Sequence, residues 1–350
     1  MNLESLYYQV KEAISALDFE KIWPGFKPLK FALYDNSRCF FDGRFVEKTD
    51  QFCANTSINF QGEQIAIWMV SEELEIPVLA SKLVHEMFHG FQTLQGWNCW
   101  PNEMEALFHY RYLPENLSLK LRENELLLRL LDRFDRDSYA ELLACRKYRS
   151  EYYPYEFLYE SQTEEIEGTA NYVEWQVLKQ LDPQKALTLT DQMRGIMTKA
   201  EYLFPIRISS YYTGALMINA LLQAGDYAFE AAERPGIIGL LQEFDSPDGE
   251  LAPRDECLKA VSEAVQTYNH NTRKIIQSAL DLNKVVIQGP LELMALNIYD
   301  ARHLDGFLTS TYFLMVKEGE ENRMLQGNFV IKMRDEKTID TIYRWKDSSD

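Results

Sequence analysis

Two neighbouring stretches decide how this chain folds: Ile65-Ala-Ile-Trp-Met-Val70 and, a few residues on, Pro77-Val-Leu-Ala-Ser-Lys-Leu-Val-His85-Glu86-Met-Phe-His89-Gly90. The first is a nearly continuous apolar run with β-branched residues, the pattern of a strand with at least one buried face. The second has helical period. Pro77 suits a first helical turn, Leu79, Leu83, Met87 and Phe88 share one side, and Gly96 ends it. A strand feeding an amphipathic helix is therefore expected, and that helix carries His-Glu-x-x-His. Positions i and i+4 lie on one helix face, so the imidazoles of His85 and His89 can reach the same metal ion.

Zinc accepts neutral histidine nitrogens and, in catalytic sites, keeps one position for water. Glu86, next to the first histidine, is placed to take a proton from that water. A catalytic zinc needs a third protein ligand, and several residues compete for the place. Glu164 and Glu167 lie in a helical segment expected over 157–181, where Gly168 stands beside Glu167. Glycine inside a helix costs about 1 kcal/mol relative to alanine, so a close approach by a second helix should explain it. His109 lies twenty residues after His89, and Glu103 and Glu105 share its short segment. Asn171, four residues after Glu167, can serve as hydrogen-bond partner to the outer nitrogen of a ligating histidine, with Glu174 one turn further. His270 and His303 belong to no motif and are expected at the surface. A di-iron carboxylate site would need a second Glu-x-x-His, which the sequence lacks.

Outward from the motif, residues 2–18 read as a first helix, and 28–70 as three or four strands of a small antiparallel sheet. Helical period then dominates, with segments at 102–112, 115–135, 137–150, 157–181, 184–196, 208–224 and 254–281. Beyond Asn283 the texture is strand-like again: Lys284 to Ile287, Leu291 to Ile298, Phe307 to Lys317 and Asn328 to Met333. Turns are expected at Gly289, Gly306, Gly319 and Gly327. The expected organisation is α+β and mainly α. A helix and small sheet occupy 1–76, a helical body 77–282, and a small β-rich domain 283–350.

The 350 residues carry 36 Lys and Arg against 54 Asp and Glu, a net charge of −18. That balance disfavours phosphate backbones and anionic lipid surfaces, so neither nucleic acid nor membrane is expected as a partner. The five cysteines are scattered without framework or CxxC spacing, which argues against a disulfide scaffold or a Cys-type zinc site. The acidic amphipathic start has no signal-peptide pattern and no long apolar run follows, so a cytoplasmic location is expected.

With these residues in view, HExxH followed by Glu167-Gly-x-Ala-x-Tyr resembles the gluzincin metallopeptidases, especially their aminopeptidase branch. The resemblance implies a zincin-like core with zinc held by His85, His89 and Glu167. Tyr211-x-x-Gly214-Ala215 resembles a further gluzincin segment, which implies that Tyr211 stabilises the oxyanion, with Tyr212 one residue away. It further implies that the strand 65–70 forms the upper edge of a cleft taking an extended peptide. Two features depart from the pattern. Glu167 follows His89 by 78 residues rather than about twenty, and no G-x-M-E-N segment is present, so aminopeptidase specificity does not carry over. The expected function is a zinc-dependent peptidase acting on peptide or protein, and the alternative is a zincin scaffold kept for binding alone.

Overall fold

A computed structural model describes residues 2–71, 74–226 and 255–345. The chain opens with helix α1 (Leu3–Ser15), capped by the Asn2 side chain, which accepts from the Glu4 and Ser5 amides. After the short helix α2 (Phe19–Ile22) come β1 (Lys30–Tyr34), β2 (Cys39–Phe41), β3 (Arg44–Val46), β4 (Thr56–Phe60) and β5 (Glu63–Met69). They form one sheet in the order β3-β2-β1-β5-β4. The expectation of a purely antiparallel sheet is corrected here: β1 and β5 run parallel, with Ala32 opposite Ile67. Strand alternation is the same for parallel and antiparallel pairs, so the texture could not distinguish them. The strand leading to the motif is an inner strand, flanked by β1 and β4, and the edge strands are β3 and, on the motif strand's side, β4.

Helix α3 (Ile76–Leu94) bears the motif and buries Leu79, Leu83, Met87 and Phe88 as its period required. Trp23 meets the Phe88 ring edge-on at 4.9 Å, locking α3 to the amino-terminal segment. There follow α4 (Glu103–His109), α5 (Pro114–Asp132), α6 (Arg136–Tyr152) and α7 (Pro154–Thr163). The single helix expected over 157–181 is instead α7, a π-helical turn (Glu164–Gly168) and α8 (Thr169–Leu181). Then come α9 (Pro183–Met197), α10 (Ile206–Ala224) and α11 (Asp255–Leu282). One hydrophobic core joins α1, β1, β5, α3 and the helices from α5 to α10.

The helical body also hides charge. Lys120, Glu123, Arg146, Arg149, Glu160 and Glu164 are all fully buried. They pair three cations with three carboxylates across α5, α6, α7 and the π turn. Removing one partner would strand an uncompensated charge in the interior, so the set stands or falls together.

The last strands are β6 (Val285–Leu296), β7 (Arg302–Leu304), β8 (Phe307–Ser310), β9 (Phe313–Glu318), β10 (Glu321–Gln326), β11 (Phe329–Met333) and β12 (Thr338–Arg344). They form a seven-stranded antiparallel sheet, β10-β9-β6-β12-β11-β8-β7. The turn expected at Gly289 is absent. β6 runs through Gly289-Pro290, and a Cβ at Gly289 would lie 2.1 Å from the Ile339 carbonyl oxygen of β12. Glycine serves there as a close strand approach rather than a turn. One core of the sheet includes Leu308, Phe329 and Ile331 and packs on Met104, Leu107 and Phe108 of α4, while Val330 packs on Ile276 and Ala279 of α11. Among the described residues no helix is long and apolar enough to cross a membrane.

Candidate metal centre

Helix α3 brings the two motif histidines together: His85 Nε2 and His89 Nε2 are 3.1 Å apart. Glu167 Oε2 completes a triangle, 3.2 Å from His89 Nε2 and 3.7 Å from His85 Nε2. Ligand atoms placed about 2.0–2.1 Å from one tetrahedral ion must lie about 3.3–3.4 Å from each other. The three edges bracket that value, so the donor set fits a small tetrahedral cation. Among the described residues this is the one cluster of three His, Cys, Asp or Glu side chains with metal-binding spacing.

Glu167 reaches the histidines because of local backbone structure. It sits within the π turn, and π turns inside α-helices recur at functional sites. Gly168 beside it meets Gly214 of α10, where a Cβ at 168 would lie 2.4 Å from the Gly214 Cα. A Cβ at 214 would lie 2.6 Å from the Glu164 carbonyl oxygen. The glycines of the two segments following Glu167 and Tyr211 are thus each other's reason. The helix that closes on Gly168 is the one that carries Tyr211.

Hydrogen bonds outside the triangle set its chemistry. Gln92 is fully buried, and its Nε2 donates to Ile166 O (2.8 Å) and Thr169 Oγ1 (3.0 Å). Its Oε1 must then face His89 Nδ1, 2.8 Å away, so Nδ1 carries the proton and Nε2 keeps its lone pair free. On the other histidine, Nδ1 stands 3.4 Å from Glu174 Oε2, within ion-pair reach but not aligned as a hydrogen bond. Glu174 pairs in turn with Lys82 at 3.5 Å. Asn171, a candidate for such a partner by spacing, lines the cavity without bonding to either histidine. The remaining oxygen of Glu167, Oε1, accepts from Arg207 Nη2 at 2.9 Å, which leaves Oε2 alone facing the histidines. Arg207 also pairs with Glu103 (2.9 Å), itself held by the Tyr159 hydroxyl at 2.7 Å.

Electrostatics agree with a site built for positive charge. Burial works against a proton on His85, yet Glu167 and Glu174 outweigh it and raise its pKa to about 10. Burial likewise opposes ionisation of Glu167, but His89, His85 and Arg207 hold it well below the usual carboxylate range. Glu86, facing the same cavity, is pushed up by burial, against the pull of the two histidines. Tyr211 is raised well above an ordinary phenol by burial and then by Glu167, whereas the neighbours acting on Tyr212 are Tyr299 and Glu174. Tyr211 is the member of the pair in the field of the Glu167 carboxylate.

The other candidates lie elsewhere. Glu164 is locked by Lys120 (2.6 Å), Arg146 (2.6 Å) and the Thr213 hydroxyl (2.7 Å). His109 is half exposed and pairs with Glu336 at 3.1 Å. Glu105 is engaged with Asn102 at the start of α4. His270 is exposed as expected, but His303 is half-buried against the Phe108 ring, 4.9 Å away, because β7 packs on α4.

His85, Glu86, His89, Glu167, Arg207 and Tyr211 line a cavity of about 610 Å³. Asn55 and Thr56 at the start of the β4 edge line it, as does Trp68 of β5, so the expectation that the strand 65–70 forms its edge is corrected to β4. Leu189 and Met193 of α9 and Ile208 of α10 form another wall. Sequence reading missed Gln92, Arg207 and Lys82. Two of these had a usable signal: Gln92 follows His89 by three residues on one helix, and Arg207 precedes Tyr211 by four. Comparison with protein-family models, with curated proteins and with solved structures finds no match to this chain.

Proposed function

We propose that this chain is a zinc-dependent peptidase with a zincin-like core, in which His85, His89 and Glu167 hold the metal. One observation carries the reading: two Nε2 atoms and one carboxylate oxygen converge at tetrahedral spacing, with the Glu86 carboxylate beside them in an open cavity. The order of inner strand, motif helix and β4 edge supports the zincin-like arrangement. Zinc and peptide as particular metal and substrate come from the donor set and from the motif's resemblance to gluzincins.

Each residue has a task that follows from its place. When bound, zinc would polarise a carbonyl and acidify water in the cavity. Glu86 takes the proton from the attacking water and returns it to the leaving amine. Among the described residues no Lys or Arg lies within ion-pair distance of Glu86, so its lone pairs remain available for that transfer. Tyr211 donates its hydroxyl proton in a hydrogen bond to the developing oxyanion, and its elevated pKa keeps it protonated for the purpose. Arg207 holds Glu167 to one free oxygen, and Gln92 fixes the His89 tautomer. The β4 edge, where Gln51 Nε2 bonds the Asn59 carbonyl at the far end, offers its backbone groups near Thr56 to an extended chain.

The test is metal analysis of the purified protein together with cleavage of a mixed-sequence peptide pool, products read by mass. The parent should contain one zinc and cut peptides, and Glu86→Gln should keep the zinc and lose nearly all cutting. Hydrolysis at the parental rate by Glu86→Gln would remove the general base from the scheme. A zinc-loaded parent that cuts nothing would favour the binding-scaffold alternative.

A further inference from the structure

One wall of the cavity comes from an element with no place in the metal centre. Tyr299 lines it, yet belongs to the connection between β6 and β7 of the carboxy-terminal sheet. That connection is braced. Asn297 Nδ2 donates to Asp300 Oδ1 (3.2 Å) and to Thr311 Oγ1 (3.0 Å), and the Thr311 hydroxyl lies 2.8 Å from both Asp300 oxygens. A fixed loop therefore holds a large ring with 58% of its surface exposed, where it serves little packing purpose. The Tyr212 hydroxyl of α10 lies in the field of Tyr299, so the two rings approach the cavity from different parts of the fold.

The cavity's charges are already spoken for. Lys82 pairs with Glu174, and Arg207 pairs with Glu167 and Glu103. Glu86 is committed to the proton transfer proposed above. What remains for recognising a side chain is uncharged and divided: Asn55, Thr56, Asn171 and Gln192 are polar, while Trp68, Leu189, Met193, Ile208, Tyr212 and Tyr299 offer apolar and ring surface. Against the apolar part of that lining a charged side chain would lose its hydration without gaining an opposite charge, while an apolar or aromatic one would gain ring contacts.

We infer that Tyr299 is a substrate-binding residue, that the carboxy-terminal sheet is thereby part of the site, and that the site takes a peptide with a large apolar or aromatic side chain beside the scissile bond. This rests on the peptidase reading. The experiment compares the parent, Tyr299→Ala and Tyr299→Phe on a mixed-sequence peptide pool, with cut sites read by mass. KM and kcat are then measured on one peptide chosen from the parental cuts. Parental cuts should fall beside Phe, Tyr, Trp, Leu or Met. Tyr299→Ala should keep parental zinc content and melting while KM rises up to about tenfold with kcat nearly kept, the scale of one aromatic contact. Tyr299→Phe, which keeps the ring, should recover most of that loss. Parental cuts beside charged residues, or a Tyr299→Ala protein with parental KM, would overturn the inference and leave the peptidase reading standing. A zinc-loaded parent that cuts no peptide would overturn both.

Discussion

Replacing Gln92 with leucine tests the proposed metal centre without touching a proposed ligand. The side chain is fully buried, and it joins His89 Nδ1 to the π turn that carries Glu167. Leucine removes three hydrogen bonds, but their losses are unequal. The Thr169 hydroxyl still donates to Glu165 O at 2.6 Å, so no donor is orphaned there. The His89 Nδ1 proton has no substitute acceptor among the described residues, and a buried donor left unpaired costs about 1–3 kcal/mol. The tautomer that presents Nε2 is also no longer enforced. Zinc affinity should therefore fall roughly 10–100-fold, the usual effect of losing such a partner. Competition against a chromophoric chelator at fixed pH reads the affinity, and circular dichroism checks the fold. Gln92→Glu keeps an acceptor for Nδ1 and should bind zinc more tightly than Gln92→Leu. Asn171→Leu, which removes the candidate that sequence spacing offered, should bind as the parent does. Parental affinity in Gln92→Leu, or a larger loss in Asn171→Leu, would refute the assignment.

Three further outcomes follow from the geometry. Gly168→Ala puts a Cβ 2.4 Å from the Gly214 Cα and 2.9 Å from its carbonyl carbon, both backbone, so the helices must part. Stability should drop by about 1–3 kcal/mol in a denaturant melt, with weaker zinc binding alongside, and a parental melt would contradict the crossing. Tyr211→Phe should keep zinc and lower turnover roughly 10²–10³-fold, and Tyr212→Phe should cost far less; the reverse would move the oxyanion role to Tyr212. The His85 pKa is raised from 6.5 to about 10, so its proton stabilises the metal-free fold fully below pH 6.5, and that contribution is lost as pH rises through about 10. Zinc needs the same nitrogen unprotonated, so its affinity should climb over that window, and calorimetry in buffers of different ionisation enthalpy should detect proton release. No release at pH 8 would show that His85 is already neutral.

Period alone located most elements. The motif helix, its buried face and its Pro77 start follow from apolar spacing, and helices at 115–135, 184–196 and 208–224 lie close to α5, α9 and α10. Three features escaped for physical reasons. Parallel pairing of β1 with β5 depends on a distant contact that side-chain alternation does not encode. Gly289-Pro290 has the composition of a turn, yet it sits in a strand because β12 passes too close for a Cβ. Helix α5 looks polar on too many sides because Asn116, Lys120, Glu123 and Asn124 are buried, each bonded to a partner on another element rather than to solvent, although Asn116 Nδ2 and Asn124 Oδ1 stay without one.

The site shows the same division between residue type and partner. Glu164 and Glu167 are one turn apart with the same side chain, and nothing in their types tells which one faces the histidines. Their surroundings do. Glu164 points into the interior between Lys120 and Arg146, where the buried cations claim it, while Glu167 divides its oxygens between Arg207 and the two Nε2 atoms. Gly168 was the usable clue, because the cost of a helical glycine implies a close neighbour. That neighbour is Gly214, three residues after Tyr211, so the contact that seats Glu167 against the histidines also fixes the helix bearing Tyr211. Arg207, one turn before Tyr211 on that helix, then grips the outer oxygen of Glu167. A single glycine crossing thereby sets both the third donor and the hydroxyl proposed to meet the oxyanion, which is why a methyl group at 168 should disturb metal binding and turnover together.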